Sequence, residues 1–273
     1  MGWGVRIALL ALAAWAALGV VAPFLQLAPN AVDLELILAP PGAGGWLGRD
    51  ELGRPVADRL LLGAGTSIQV ALSVVGVSGL VGTLLGTLAA YRGGWLDRLL
   101  TAAVDVFMAF PGLLLAIALA GVLGPGLDNL VIALSVVGWV GYARLARAQA
   151  FSLRRREHVQ AAVALGSGTA RIVTRHLLPL MSGPLVVEAT FGLAAAVVAE
   201  AGLSFLGIGV QPPDASWGTM IREGVRYMLV APHLVLAPGL ALSAVVLSVN
   251  LAGDWLRDRL DVRGGTATAR RRT

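Results

Sequence analysis

The chain contains an uncharged run, VALSVVGVSGLVGTLLGTLAA, that extends from Val70 to Ala90 and is as long as a membrane-spanning helix. About 20 mostly apolar residues are needed for a helix to cross the hydrocarbon core of a bilayer. Gly79, Gly82 and Gly86 recur in this run at the spacing of small residues that lets two membrane helices approach closely. The run therefore predicts a transmembrane helix with a closely packed neighbour.

Further apolar stretches on either side bring the expected number of spans to about six. Of the 273 residues, 57% are apolar and 14% charged, whereas a soluble domain has about half and a quarter. The predicted fold class is an all-α, polytopic membrane protein. The stretch nearest the N-terminus, approximately 7–25, is also compatible with a cleaved signal peptide, but its length favours a retained span. The other five stretches run approximately over 7–25, 99–124, 130–146, 183–206 and 228–253.

The arginines indicate how the chain is oriented. With a cytoplasmic N-terminus, the inner segments hold 16 arginines and the outer segments hold 5. Cytoplasmic segments of membrane proteins carry the excess of basic residues, so both termini are expected inside the cell. The same distribution accounts for the net charge of +5 without any nucleic-acid partner. The outer segments, 26–66 and 207–227, are candidate contacts for an external protein, with Trp217 as a candidate anchor at the membrane interface.

Missing residue types exclude several functions. The chain has no lysine, and a P-loop needs its lysine to reach the phosphates of ATP. Cysteine is absent too, and the three histidines are far apart with no zinc-binding spacing. We therefore expect no catalytic residues, no metal site and no enzymatic activity in this chain.

The cytoplasmic segment 147–182 contains a short candidate helix. Residues from Glu157 to Leu165 favour a helix, and the acidic start suits the positive end of its dipole. Gly166 is expected to end it. Ala161, Ala162 and Leu165 would form a small apolar face on this helix. That face can dock into a groove on another subunit or pack beneath its own bundle.

A second helical piece is predicted after the glycines. It spans about Thr169 to Leu178 and is expected to end before Pro179, because proline disfavours a helical residue in front of it. Arg171 and Arg175 lie on this piece and are candidates to pair with acidic groups of a partner or with anionic lipid. The general excess of arginine on the cytoplasmic side explains them equally well.

Three acidic residues, Asp105, Glu188 and Glu200, fall in or near apolar stretches. Charged groups in a membrane usually face the interior of a bundle or water. They are candidates to line a substrate path, or to be hydrogen-bonded groups that hold helices together. Glu200 is expected close to the outer end of its span, where water can reach it.

Several blocks of the sequence resemble one family. The spacing of Ala161, Ala162 and Gly166 before Leu178-Pro179 resembles the EAA loop of ABC importer permeases, in particular the dipeptide/oligopeptide/nickel branch. The resemblance covers roughly residues 45–260. Four further blocks, in the same order as in that branch, are 47–54 (LGRDELGR), 91–97 (YRGGWLD) with 109–116 (AFPGLLLA), 200–210 (EAGLSFLGIGV), and 212–213 (PP) with 216–218 (SWG).

The sequence departs from the family pattern in places. Gln160 stands where the motif names a glutamate, with the acid at Glu157 instead, and His158 replaces an aromatic residue. Leu180 replaces a frequent asparagine, and Pro55 replaces an acidic residue. These changes concern the subfamily, and hence the substrate, rather than the coupling loop.

The resemblance implies a type I ABC importer permease in a bacterial or archaeal cytoplasmic membrane. The implied partners are a second homologous permease, two ATP-binding subunits that hold ATP and magnesium, an external substrate-binding protein, and membrane lipid. The implied domains are an N-terminal span with outer loop (1–65), the permease domain (66–254) with its coupling loop (151–182), and a cytoplasmic tail (255–273). Residues implied to contact the ATPase are Glu157, Ala161, Ala162, Leu165, Gly166 and Arg171.

Di- or oligopeptides are the substrates that the resemblance favours. Nickel or a chelated metal is the alternative within the family. An alternative from another class is a secondary transporter or channel without an ATPase, in which acidic residues such as Asp105 and Glu188 would bind coupling ions.

Overall fold

The computed structural model describes residues 2–269, with the side chains of Pro23 and 261–269 excepted. These residues are mostly helical and form no strands, as the all-α prediction requires. The helices of the described residues are α1 (Trp3–Val21), α2 (Val56–Arg92), α3 (Gly94–Met108), α4 (Gly112–Leu123), α5 (Leu127–Leu153), α6 (Glu157–Ala164), α7 (Thr169–Ile172), α8 (Leu178–Phe205), α9 (Trp217–Val225) and α10 (His233–Ala269).

Five continuous helical segments of the described chain are long and apolar enough to cross a membrane. A sixth crossing exists only if α3 and α4 together form one span, because they are bent by 87° at a short break. The sequence predicted a single span there. Pro111 explains the difference, since it lacks an N–H group and disfavours a helical conformation at Phe110.

The turn between α2 and α3 depends on two glycines. Gly93 and Gly94 have φ angles of +69° and +65°, which residues with a side chain rarely adopt. A guanidinium N–H of Arg154 donates to the carbonyl oxygen of Ala90 and so satisfies one of the last carbonyl groups of α2. The chain therefore turns between α2 and α3 while the carbonyl group of Ala90 keeps a hydrogen-bond partner.

The residues before α2 form an ordered loop, and α2 begins within the predicted outer segment 26–66. The backbone N–H of Asp33 donates to the carbonyl oxygen of Leu52 at 3.2 Å, and that of Arg49 donates to Ala39 at 2.9 Å. Such bonds give the backbone polar groups of this loop partners within the chain.

Two compact units make up the chain. The first comprises the residues up to Ser73 together with Ile117–Leu134 and Leu193–Ala252. The second comprises Val74–Ala116, Ser135–Gly192 and the residues from Gly253 onward. Several long helices contribute to both, and each unit has its own buried residues.

In the second unit, α2 and α5 pack closely at the glycines that the sequence singled out. A Cβ atom at Gly82 would overlap the carbonyl oxygen of Trp139, and one at Gly86 would overlap that of Ala143. The predicted close helix packing is therefore confirmed, with α5 as the neighbour. Only residues without a side chain allow this approach.

The predicted end of the helix before Pro179 is wrong. Residues Val173–Leu177 form a π-helical turn between α7 and α8, and the N–H of Leu178 donates to the carbonyl oxygen of Val173. This wider turn places Pro179 in the first turn of α8, where a missing N–H group is tolerated. One uninterrupted helical segment therefore runs from Thr169 to Phe205.

The close packing of α2 on α5 predicts that alanine lowers stability at one glycine of α2 and does not lower it at another. Gly86→Ala should lower the melting temperature of the purified protein, since the new methyl group meets the backbone of α5, at a cost of about 1–3 kcal/mol. Gly76→Ala is the matched control, because no atom lies within 4 Å of its added Cβ. It should leave stability unchanged or raise it by up to about 1 kcal/mol. Equal effects of the two substitutions would contradict the packing.

Candidate coupling helix and charged cavity

Helix α6 begins and ends as its sequence predicts. Glu157 occupies its first turn, and the helix stops at Leu165. Gly166 follows with a φ angle of +81°. The N–H of Gly166 donates to Val163 at 2.9 Å and that of Ser167 donates to Ala162 at 3.0 Å. These two bonds are the Schellman arrangement, which requires a left-handed residue at the glycine position.

The two faces of α6 differ in burial. Val159 and Ala162 are buried, and Val159 belongs to one apolar cluster with Ile172, Leu177 and Met181. The outer face carries Ala161, Val163 and Leu165, and the Leu165 side chain is 87% exposed. The predicted face is therefore wrong in one member, because Ala162 points to the inside. Its two companions, Ala161 and Leu165, remain on the exposed side.

The charged residues proposed for the same loop lie at the surface. Glu157 is exposed at the start of α6, and Arg171 is exposed at the end of α7. The next residue, Ile172, is fully buried and fixes α7 against the apolar cluster. Both charged groups are therefore accessible to a partner.

A charged cavity of about 620 Å³ lies in the second unit. Two of the three acidic candidates, Asp105 and Glu188, line it together with Arg144 and Arg147. Arg147 is occupied by Asp97, which accepts bonds of 2.6 and 2.8 Å from its guanidinium. The remaining residues of the wall are Leu100, Thr101, Val104, Gly141, Ala143, Leu145 and Ala148.

Glu188 reaches this cavity because α5 has a glycine opposite to it. A Cβ at Gly141 would lie 2.9 Å from the Oε1 atom of Glu188, which is tighter than a normal contact. Arg144 lies one turn further along α5, and its Nη1 atom is 3.2 Å from the sulfur of Met108. Asp105 is one turn before Met108 on α3, so α3, α5 and α8 each bring a charged group to the cavity.

Glu200, the third acidic candidate, is fully buried in the first unit. Its carboxylate accepts hydrogen bonds from Ser204 at 2.8 Å and from Ser67 at 3.2 Å. The Ser204 hydroxyl in turn accepts a bond from the N–H of Val210. The expectation that water reaches Glu200 is wrong, and the hydrogen-bonded alternative describes its surroundings.

The first unit contains a network of five charged side chains on the loop before α2, the first turn of α2 and α9. Asp50 accepts from Nε of Arg54 at 2.7 Å, and Glu51 accepts from Nη2 of Arg54 at 3.0 Å. Glu223 of α9 accepts from Arg59 at 3.0 Å and from Arg54 at 3.3 Å. Burial raises the pKa of the Glu51 carboxyl above its ordinary value. The network ties the loop before α2 to α9.

Three of these carboxylates are close enough together to suggest a cation site. One oxygen from each of Asp50, Glu51 and Glu223 lies within 4.8 Å of the others. Each of the three, however, already faces a guanidinium group of Arg54 or Arg59. Arginine stays protonated in proteins, so these guanidinium groups supply the positive charge that a metal would bring.

Trp217 is an internal contact of the first unit rather than the interfacial anchor that the sequence suggested. Its side chain is 2% exposed, and its Nε1–H donates to the carbonyl oxygen of Leu60 at 3.0 Å. Ser216 caps α9 by a reciprocal pair of bonds with Thr219. The SWG block therefore holds α9 against α2.

Sequence reasoning missed the basic side of the cavity. Arg144 and Arg147 were counted only as cytoplasmic charges, although both belong to α5. One signal was present, namely Asp97 in the first turn of α3, an acid without a basic residue at helical spacing after it. Its partner lies 50 positions away in the sequence, so the pairing emerges only from the fold.

A transport class follows from several apolar crossings, an exposed helix in a segment rich in arginine, and a charged cavity among the long helices. The family model described as "Binding-protein-dependent transport system inner membrane component" matches residues 82–263. The chain therefore belongs to this family, the permease subunits of ABC importers. It is a multi-pass inner-membrane transport subunit and not an enzyme, and such permeases work with ATP-binding and substrate-binding partners.

Named relatives resemble the chain over most of its length. It is 41% identical over 224 residues to the dipeptide transport system permease protein DppC of Alkalihalophilus pseudofirmus, covering 82% of this chain and 74% of that protein. It is 38% identical over 234 residues to the glutathione transport system permease protein GsiD of Pectobacterium atrosepticum, covering 86% and 78%.

A solved structure supports the fold. A chain of the MetNI methionine ABC transporter in an inward-facing conformation matches with a TM-score of 0.54 and 22% identity. The match covers 71% of this chain and 94% of that one. At this identity the likeness concerns the fold alone.

The network of charged side chains around Arg54 gives a second prediction. Arg54→Gln should lower the stability of the purified protein by about 1–3 kcal/mol, because the buried carboxylate of Asp50 and the half-buried one of Glu223 then share one guanidinium, that of Arg59, in place of two. Arg226→Gln is the control, since Arg226 is exposed, and it should change stability by no more than about 0.5 kcal/mol. Thermal unfolding in detergent measures both. A melting temperature of Arg54→Gln equal to that of the control would contradict a stabilising network.

Proposed function

We propose that this chain, paired with a second related permease, forms the path by which short peptides enter the cell. Two ATP-binding subunits drive the cycle, hold ATP and magnesium, and contact the segment 151–182. An external substrate-binding protein delivers the peptide. Both termini lie in the cytoplasm of a bacterium or archaeon. The domain limits that accompany this proposal are 1–65, 66–254 and 255–273.

The observation that carries this proposal is the exposed face of α6. A large apolar side chain such as Leu165 gains from burial by roughly 1.5–3 kcal/mol, yet here it is 87% exposed at the end of a short helix. The inner face of α6 is packed on the protein's own core, so the helix is held firmly while its tip projects. Docking on a partner subunit would bury the Leu165 side chain and so explains its exposed position. A channel or secondary transporter without an ATPase has no partner that would bury it.

The peptide substrate is supported by the relatives. Those described above are named for dipeptide and for glutathione, which is itself a tripeptide. The charged cavity is lined by carboxylates and guanidinium groups and contains no histidine. Nickel favours imidazole and thiolate ligands, so the metal alternative gains nothing from this wall.

The tip of α6 provides a test of coupling. Leu165→Asp should abolish co-purification of the ATP-binding subunit and reduce uptake more than about tenfold, because a charge would be buried in the docking groove. Leu229→Asp is the matched control, since Leu229 is 100% exposed in the turn between α9 and α10. It should leave ATPase binding unchanged. Intact co-purification with Leu165→Asp would contradict docking at this tip.

Substitutions at Gly166 test whether the left-handed backbone conformation at this position is needed for transport. Gly166→Asn should retain much of the uptake, because asparagine tolerates the left-handed conformation, whereas Gly166→Val or Gly166→Trp should abolish it. The variants should still reach the membrane, because no atom lies within 4 Å of a Cβ at this position. Normal uptake by Gly166→Trp would overturn the assignment of this segment as the coupling site.

Peptide transport itself is tested in vesicles that contain the assembled transporter. Radiolabelled di- and tripeptides should accumulate only when ATP is inside and the binding protein is outside. Uptake of Ni²⁺ under the same conditions, with no peptide uptake, would replace the peptide assignment by the metal one. Uptake that needs an ion gradient but no ATP would exclude an ABC importer.

A further inference from the structure

We propose that the charged cavity of the second unit binds the ends of the transported peptide, Glu188 and Asp105 holding its ammonium group and Arg144 its carboxylate. This inference rests on the proposed peptide transport and adds a charge preference. Peptides with one extra positive charge should pass more readily than peptides with one extra negative charge.

The charges of the cavity wall do not cancel. Arg147 is neutralised by Asp97 through two short bonds. Among the described residues, Asp105, Glu188 and Arg144 form no ion pair. Two carboxylates and one guanidinium therefore remain for a ligand. A zwitterionic peptide matches one charge of each sign, and the second carboxylate is left for a further cationic group.

Asp105 stands where an acid is unfavourable. It lies in the last turn of α3, where the negative end of the helix dipole repels a carboxylate. Unpaired charges within membrane helices are costly and mark binding sites or ion paths. A cation at this end of α3 would interact favourably with both the carboxylate and the helix dipole. An ammonium group is such a cation.

The dimensions suit a short peptide. The cavity volume of about 620 Å³ lies within the range of about 300–1,000 Å³ that is usual for ligand sites. An extended dipeptide is about 7 Å long. Leu100, Val104 and Leu145 supply apolar surface between the charged groups, as a site that accepts varied side chains requires.

The test compares peptides of different charge in the assembled transporter with one fixed binding protein. The peptides are Lys-Ala, Ala-Ala, Glu-Ala and N-acetyl-Ala-Ala, each loaded on the binding protein to the same occupancy. Glu188→Gln and Asp105→Asn should each lower the Lys-Ala to Glu-Ala uptake ratio by about tenfold, because a charge-assisted hydrogen bond to the ammonium is lost. Arg144→Gln should raise that ratio and slow Ala-Ala.

Controls separate the inference from misfolding. Glu188→Asp keeps the charge and should restore most of the preference. Asp128→Asn removes an exposed carboxylate of α5 that does not line the cavity, and should leave the ratio unchanged. Co-purification of the ATP-binding subunit should be normal in every variant.

The outcomes that contradict the inference are distinct. An unchanged uptake ratio in both Glu188→Gln and Asp105→Asn, with Ala-Ala still imported, would overturn the cavity assignment while peptide transport stands. Equal uptake of Ala-Ala and N-acetyl-Ala-Ala by the wild type would overturn the ammonium contact. A wild type that imports none of the peptides would overturn the proposed function itself.

Discussion

Inside a bilayer, each backbone N–H and C=O group needs a hydrogen-bond partner from the protein, because no water is available there. The long helices of this chain satisfy that requirement along most of their length, with Pro184 and Pro238 as internal exceptions. Two of the breaks between helices fall at residues that make them tolerable. Gly93 and Gly94 adopt left-handed conformations between α2 and α3, and Pro111 follows the sharp bend after α3. Where the helices must also touch, Gly82 and Gly86 remove the side chains that would hold them apart.

The same scarcity of water sorts the acidic residues into two kinds. Glu200 is surrounded by hydroxyl groups that belong to the protein and is fully buried. Asp105 and Glu188 have no such partners among the described residues and border a cavity instead. A residue of the first kind holds helices together. A residue of the second kind keeps its hydrogen-bonding capacity for something that arrives from outside.

Local signals in the sequence predicted most of the apolar crossings and the limits of α6. The step from Ala164 and Leu165 to Gly166 depends on near neighbours, and α6 ends there as expected. The stretch 99–124 is an exception, because it is divided into α3 and α4 at a sharp bend. It was harder to predict which residues of a helix face the interior of the protein. Ala162 turns inward because Val159, one turn earlier, is larger and sets the buried stripe.

Contacts between distant parts of the chain could not be predicted from the sequence. Glu223 meets Arg54 across 169 positions, and Asp97 meets Arg147 across 50. No periodicity within a single helix encodes such pairs. Pro179 shows a third limit, because a proline rule based on the α-helix does not anticipate a π-helical turn. The proline was read as a stop, whereas the wider turn lets the helix pass it.

That uninterrupted passage has a mechanical consequence. The segment from Thr169 to Phe205 contains 37 residues, and at 1.5 Å per residue it is a rod of about 55 Å. Within it, regular α-helical bonding is interrupted at two places, the π-helical turn of Val173–Leu177 and Pro184, which has no N–H group to donate. A push applied beside Arg171 would therefore be taken up in part by bending at these two places before it reached Glu188.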